Sequence, residues 1–281
     1  MEEYSHTWLW IGCAGMAAGA ALIALLSLKA PKNESHHFVA SFFVTLFAAA
    51  AYFAMASGTG VLEAARDGAK DVTVFYARYI DWTVTTPLLL LGLMMVALPS
   101  LRGGGEEGRD RNGLIGLLIG ADVFMIVTGF VGALTANETD RYVWFGISCL
   151  GFLIVLVGVW GPLRKAAAAQ SKGVSGLFTR LAGVLTVLWL IYPVLWIIGT
   201  EGLGEVSLDT EITLFAIIDL LAKVGFGLLL VTGIISLYSG RRTAARRSSG
   251  GSTARKSTAR KPAARKKSTA RRKTTTKARR A

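Results

Sequence analysis

The sequence predicts an all-α membrane protein, a bundle of seven transmembrane helices followed by a basic tail. Of its 281 residues, 52% are hydrophobic and 17% are charged, with a mean hydropathy of +0.48. Soluble domains carry about a quarter charged residues, so this composition favours lipid as the solvent. A helix needs about 20 mostly apolar residues to cross a bilayer. The chain has seven such runs: 8–28, 38–57, 74–98, 114–135, 143–162, 181–198 and 212–238.

The loops between these runs predict an orientation. Basic residues are concentrated after the first, third and fifth runs: Lys29, Lys32, Arg102, Arg109, Arg111, Arg164, Lys165, Lys172 and Arg180. The opposite loops hold only Arg66, Lys70 and Arg141. Because basic loops stay in the cytoplasm, we expect the N-terminus to lie outside the cell and the C-terminus in the cytoplasm. The membrane is expected to be the plasma membrane.

The net charge of +13 comes from the tail. Residues 241–281 hold 17 Lys and Arg and no acidic residue, whereas residues 1–240 hold 14 basic and 18 acidic residues. The tail has no apolar periodicity, so we predict a disordered cytoplasmic segment after a helical domain at 1–240. It is expected to bind anionic lipid or nucleic acid, or to be a solvated extension that reinforces the topology.

A few ionisable side chains lie inside the apolar runs, where charge is costly and usually functional. The third run carries Arg78 and Asp81, the fourth carries Asp122, and the seventh carries Asp219 and Lys223. One interpretation is a neutral buried network that fixes helix register. The other is chemical, because a desolvated lysine amine is well suited to forming a Schiff base with an aldehyde.

Three segments decide between these interpretations. Residues 78–88 (RYIDWTVTTPL), 189–196 (WLIYPVLW) and 219–227 (DLLAKVGFG) lie in the third, sixth and seventh runs. They resemble the corresponding helices of microbial (type 1) rhodopsins, most closely the bacteriorhodopsin-like light-driven proton pumps. The resemblance covers about residues 8–238, leaves out the tail, and implies all-trans retinal bound covalently to Lys223.

The resemblance also implies roles for the charged residues. Asp81 would be the proton acceptor and, with Asp219, the counterion of the Schiff base on Lys223. Arg78 would offset the second carboxylate, and Thr85 would hydrogen-bond Asp81. The pattern predicts that protons are the transported ion and, as a family expectation, that the protein forms a homo-oligomer, a trimer.

The implied retinal contacts come from five of the seven runs. They are Tyr52, Trp82, Thr86, Leu89, Met125, Gly129, Phe145, Ser148, Cys149, Trp189, Tyr192, Pro193 and Trp196. Tyr52 and Tyr192 match positions that hydrogen-bond the carboxylate of the seventh helix. Asp122 is interpreted as a structural partner of Thr86. Each aromatic taken alone is more typical of simple core packing than of ligand contact.

Glu201 and Glu211 match the paired glutamates that release the proton in the family, although as loop residues they also fit solvated acids. The departure from the pumping pattern is Gly92, because efficient pumps carry Asp or Glu at the matching position as the inner proton donor. No other Asp or Glu lies in the inner half of any run. We therefore expect slow proton recovery from cytoplasmic water, at a rate that falls as pH rises.

This pattern fits several functions to different degrees. An outward proton pump with an Asp81, Thr85 and Gly92 motif is favoured, and a photosensor that signals through a partner is the alternative. A chloride pump is disfavoured by Asp81, an inward pump by Asp219, and a retinal-free receptor or scaffold is the last alternative. No enzyme activity and no metal site is expected, and His6, His36 and His37 are interpreted as solvated interface residues.

Overall fold

The computed structural model describes residues 6–98 and 106–239, and these residues form seven long helices. They are α1 (Thr7–Ser27), α2 (Ser35–Ala56), α3 (Tyr76–Ala97), α4 (Glu106–Leu134), α5 (Glu138–Ala168), α6 (Lys172–Ile198) and α7 (Leu208–Ser239). Each has the length and hydropathy of a membrane span, so the predicted seven-helix membrane fold is confirmed. The predicted tail and its boundary at residue 240 lie outside the described residues.

The helices extend beyond the apolar runs that predicted them. α4 begins at Glu106 and α6 at Lys172, upstream of the predicted starts at 114 and 181. Hydropathy detects the part of a helix that lies in hydrocarbon, whereas the ends are set by hydrogen bonding. At the start of α6, for example, the Ser171 side chain accepts a hydrogen bond from the backbone N–H of Val174.

The helices pack as a ring. Successive helices from α1 to α5 contact one another, α6 packs against α3, and α7 packs against α1, α2 and α6. The outward faces keep large apolar side chains exposed, including Leu25, Leu150 and Val157, the last of which is 70% exposed. Such faces are stable only against lipid or another apolar surface. The ring leaves an interior in which the charged residues lie.

A short β-hairpin lies in the connection between α2 and α3. Strands β1 (Leu62–Ala64) and β2 (Val72–Val74) pair antiparallel, with Glu63 opposite Thr73. The sequence analysis assigned no strand here, because three residues are too few for alternation to be recognised. From the hairpin loop, the Arg66 guanidinium donates to the Ala133 carbonyl at 2.9 Å, which ties the hairpin to the end of α4.

Two of the helices contain a wide, π-helical turn. One lies at Val159–Leu163 in α5 and includes Pro162, and the other lies at Leu221–Gly225 in α7. A π turn accommodates one extra residue per turn and re-aims the side chains that it carries. The turn in α7 contains Lys223, so the local backbone geometry sets the direction of this buried amine.

Candidate functional site

A buried cation between two carboxylates lies at the centre of the bundle. The Lys223 amine lies 2.5 Å from Asp219 Oδ1 and 2.9 Å from Asp81 Oδ2. Asp219 precedes Lys223 by one turn of α7, and Asp81 reaches the amine from α3. All three side chains are at most 3% exposed. A charge removed from water is stable only with such partners, and the opposite charges supply them.

The two carboxylates differ in their hydrogen bonds. Asp219 accepts from the hydroxyls of Tyr52 (2.8 Å) and Tyr192 (2.6 Å) in addition to the amine. Neither oxygen of Asp81 has a partner of hydrogen-bonding geometry among the described residues, and its contact is the ion pair. The Thr85 hydroxyl donates to the Asp81 main-chain carbonyl at 2.8 Å. Asp219 is therefore the better stabilised anion.

An apolar cavity adjoins the amine. Its walls come from α3 to α7, and aromatic rings dominate them. Thirteen residues singled out from the sequence line it: Trp82, Thr86, Leu89, Met125, Gly129, Phe145, Ser148, Cys149, Trp189, Tyr192, Pro193, Trp196 and Lys223. Phe145 stacks on Trp196 with ring centroids 4.6 Å apart, and Trp82 packs edge-on against Tyr192 at 5.3 Å.

The lining differs from the sequence-based set in a few positions. Tyr52 is not on the cavity wall, and its hydroxyl bonds Asp219 instead. Four lining residues were missed: Tyr79, Ile126, Phe152 and Ala222. Tyr79 could have been predicted from helix periodicity, because it lies three residues before Trp82 on the same face of α3. Ile126 and Phe152 lie in uniformly apolar helices, where spacing alone does not separate cavity from lipid.

Asp122 lies beside the cavity and is fully buried. The Thr86 hydroxyl lies 2.7 Å from Asp122 Oδ2 and also 2.8 Å from the Trp82 carbonyl. This bond joins α3 to α4 at the level of the cavity. The geometry fits the expected partnership between Asp122 and Thr86, and the other Asp122 oxygen has no hydrogen-bond partner among the described side chains.

A second ionic cluster lies toward the α6–α7 loop. Arg78 Nη1 lies 3.2 Å from Glu211 Oε1, and the guanidinium stacks 4.0 Å above the Phe215 ring centroid. Glu211 Oε2 accepts bonds from the backbone N–H and the hydroxyl of Thr200, both at 2.8 Å. Gly199 is needed here, because a Cβ at that position would lie 2.8 Å from Glu211 Oε2.

Glu201 completes this cluster. The Tyr79 hydroxyl donates to Glu201 Oε2 at 2.7 Å, and the Trp196 indole donates to the same hydroxyl at 3.1 Å. Burial, followed by the charge of Glu211, raises the pKa of Glu201 to about 7. Near neutral pH this carboxyl can thus hold a proton or lose one. Glu201 and Glu211 are 2% and 1% exposed, so their interpretation as solvated loop acids is wrong.

Gly92 lies on the buried face of α3, in an apolar environment. A Cβ built at this position would lie 3.1 Å from Leu230 Cδ2 of α7. Gly92 follows Asp81 by 11 residues, which is about three turns and 16 Å along the helix. Gly92 therefore packs against hydrocarbon, and this position carries no carboxylate.

The interpretation of His37 as a solvated interface residue is wrong. Its side chain is 1% exposed, and its Nε2 lies 3.3 Å from Glu34 Oε2. His36, by contrast, has a side chain that is 46% exposed. The difference follows from the helix period, because neighbouring residues of α2 point about 100° apart and only one can face the bundle. The apolar pattern of this segment is too weak to predict which of the two histidines faces inward.

The chain is similar in sequence to a known protein family and to individual members of it. The family model described as "Bacteriorhodopsin-like protein" matches residues 3–237. A bacteriorhodopsin from Haloterrigena sp. (strain arg-4) is 41% identical over 226 residues, covering 80% of this chain and 86% of the relative. Archaerhodopsin-2 from Halobacterium sp. (strain aus-2) is 41% identical over 225 residues, covering 80% and 83%.

Two solved structures are similar in fold. The thermophilic rhodopsin from Rubrobacter xylanophilus has a TM-score of 0.76 and 42% identity, covering 82% of this chain and 97% of that one. The light-driven proton pump rhodopsin from Coccomyxa subellipsoidea has a TM-score of 0.74 and 33% identity, covering 82% and 98%.

Proposed function

Since the chain belongs to the bacteriorhodopsin-like family of retinal-binding, light-driven proton pumps, we propose that it binds retinal and pumps protons outward under illumination. The observation that carries the proposal is the buried Lys223 amine, which faces an aromatic cavity and is paired with Asp81 at 2.9 Å. The proposal places the α6–α7 loop outside the cell and the α1–α2 loop in the cytoplasm, as the basic loops indicate.

The cavity residues fit a long apolar aldehyde. Aromatic and aliphatic side chains form most of the wall, and Lys223 contributes a primary amine to it. Retinal joined to this amine as a Schiff base supplies visible absorption and a light-driven change of shape. Trp82, Trp189 and Tyr192 confine the chain of the ligand and exclude water from the nitrogen.

The carboxylates give the proton transfer its direction. Asp81 Oδ2 is the oxygen that takes the proton from the Lys223 nitrogen, because Asp81 lacks the hydroxyl partners that stabilise the Asp219 anion. Asp219 keeps its charge and orients the nitrogen. Proton transfer over 2.9 Å needs only a change in relative proton affinity, and each pKa unit corresponds to about 1.4 kcal/mol.

Release of a proton to the outside is assigned to the ionic cluster at the α6–α7 loop. When Asp81 becomes neutral, the positive charge of Arg78 is less compensated on the cavity side and stabilises the ionised glutamates more strongly. Glu201, with its pKa of about 7, is the group able to lose a proton near neutral pH. Tyr79 connects the cavity wall to Glu201 through its hydroxyl.

The wild-type recovery rate is expected to fall as pH rises. No carboxylate is available at Gly92, so the Lys223 nitrogen regains its proton from cytoplasmic water, at a rate proportional to the proton concentration. Flash spectroscopy of the pigment in lipid from pH 5 to 9 measures this. Gly92→Asp is expected to speed recovery and remove most of its pH dependence, because the new carboxyl group already carries the proton that the Lys223 nitrogen needs.

Gly92→Ala is the matched control for that experiment. It places the same Cβ against Leu230 without adding an acid, so its recovery should keep the wild-type pH dependence. A wild-type recovery that does not change with pH would contradict the assignment and indicate an internal donor elsewhere.

The direct test of pumping is illumination of intact cells that express the full chain with retinal. We expect the medium to acidify in the light and a protonophore to abolish the signal. The competing proposal is a photosensor, which the absence of an acid at Gly92 favours because slow recovery prolongs a signalling state. A pigment that cycles in light without moving protons would support the sensor and overturn the pump.

A further inference from the structure

Three side chains of metal-ligand type lie together at the α1–α2 end of the bundle, outside the aromatic cavity. Glu34, His36 and His37 each place one nitrogen or oxygen within 4.8 Å of those of the other two. Imidazole nitrogens and carboxylate oxygens are ligands that Zn²⁺ commonly takes in proteins. The sequence predicted no metal site here, because the two histidines were interpreted as solvated.

The spacing of these atoms matches one face of a zinc tetrahedron. Glu34 Oε2 lies 3.3 Å from His37 Nε2 and 3.9 Å from His36 Nε2. With metal–ligand bonds of about 2.0–2.2 Å, two ligands of tetrahedral zinc lie about 3.3 Å apart. The pair with His37 is already at that distance. His36, whose side chain is 46% exposed, is free to rotate to it.

The start of α2 turns the Glu34 carboxylate toward the histidines. Asn33 has a φ of 71°, in the left-handed region that asparagine tolerates, and Glu34 follows it as the N-cap residue of α2. An N-cap side chain often accepts a hydrogen bond from the first turn of its helix, but Glu34 makes no such bond. Its Oε2 instead faces the two imidazoles. The carboxylate is therefore available to bind a cation.

The neighbouring residues hold two of the three ligands in place. The Tyr238 hydroxyl of α7 donates to Glu34 Oε1, which orients the carboxylate and leaves Oε2 for a metal. His37 is 1% exposed, and its Nδ1 has no hydrogen-bond partner among the described residues. A buried imidazole that the protein leaves partly unsatisfied calls for an explanation. A role as metal ligand supplies one.

We propose that Glu34, His36 and His37 form a binding site for one Zn²⁺ ion. Three protein ligands leave one position for water, and the exposed side of His36 gives the ion access from the surface. Two imidazoles favour zinc over Mg²⁺ and Ca²⁺, which take oxygen ligands. Because Tyr238 bonds Glu34, the ion stabilises the contact between the start of α2 and the end of α7. The site requires neither retinal nor light, so it is independent of the proposed pump.

The test is calorimetric titration of the purified full-length pigment, freed of metal with a chelator, with Zn²⁺. We expect one ion per chain and an affinity that falls by more than about 100-fold in His36→Gln, which removes a ligand at an exposed position. His6→Gln is the matched control, because the chain has three histidines and His6 contacts the Ala56 carbonyl at the other end of α2. This control should bind zinc like the wild type.

A second variant tests the contribution of α7. Tyr238→Phe keeps all three ligands but removes the hydrogen bond to Glu34, so zinc affinity should fall about tenfold. Zinc should also raise the melting temperature of the wild type and leave that of His36→Gln unchanged, because only a bound ion stabilises the folded state. Mg²⁺ at the same concentration should change neither.

X-ray absorption at the zinc edge identifies the ligands directly, and two imidazoles are expected in the wild type. Equal zinc affinity in the wild type and His36→Gln, loss of binding in His6→Gln, or fewer than two imidazoles would overturn the site. None of these results bears on pumping. Absence of light-driven acidification in protein that binds zinc as expected would instead count against the proposed function alone.

Discussion

Lys223→Ala protein supplied with all-trans retinal is expected to remain colourless, whereas the wild type forms a visible pigment. The lysines at 29, 32, 70, 165 and 172 are exposed, so Lys223 is the one buried lysine among the described residues. Among the described residues it is also the only one that supplies an amine to the cavity wall. A Schiff base on one of the exposed lysines would leave the apolar chain of retinal in water. Absorption spectroscopy of purified protein measures the result.

Alanine also leaves two buried carboxylates without their cation, and breaking a buried ion pair costs about 3–5 kcal/mol. Lys223→Arg keeps a cation near Asp81 and Asp219, but guanidinium does not form a Schiff base under these conditions. We expect a folded, colourless protein. Lys165→Ala, which removes an exposed amine, should keep full colour. Persistence of a covalent pigment in either Lys223 variant would contradict the assigned attachment site.

The sequence was sufficient to predict the fold and the cavity, and the reason is the membrane. Hydrocarbon makes each ionisable group within a span costly, so Asp81, Asp219 and Lys223 stood out by residue type alone. Long motifs then supplied most of the cavity wall. The helix ends were less predictable, because they depend on caps such as Ser171 outside the apolar runs.

Contacts between distant segments could not be predicted. Tyr79 and Glu201 are separated by 122 positions, and their hydrogen bond depends on how α3 lies against the α6–α7 loop. Glu34, which lies beside His37, likewise accepts a hydrogen bond from Tyr238, 204 positions further along the chain. Local patterns identify a helix face, but only the assembled bundle determines which polar residue of that face is enclosed.

Asp81→Asn is expected to retain colour and to lose light-driven acidification by at least tenfold, and a tenfold loss of rate corresponds to about 1.4 kcal/mol of barrier. Asparagine fits the same space but cannot take a proton from the Lys223 nitrogen, 2.9 Å from Asp81 in the wild type. External pH recorded from illuminated cells, normalised to pigment content, measures the loss. Glu205→Gln, at an exposed loop acid, is the control and should pump normally.

Asp219→Asn provides the contrast that identifies the acceptor. Asp219 accepts bonds from Tyr52, Tyr192 and Lys223, so its neutralisation weakens three buried interactions at once. We expect a lower yield of folded pigment and a lower melting temperature, whereas Asp81→Asn should fold nearly normally because the Asp81 carboxylate has one ionic contact and no hydroxyl partner. Full pumping by Asp81→Asn would move the acceptor role to Asp219. Because the two carboxylates share one amine and differ in their hydrogen bonds, the pair of variants separates proton acceptance from support of the cation.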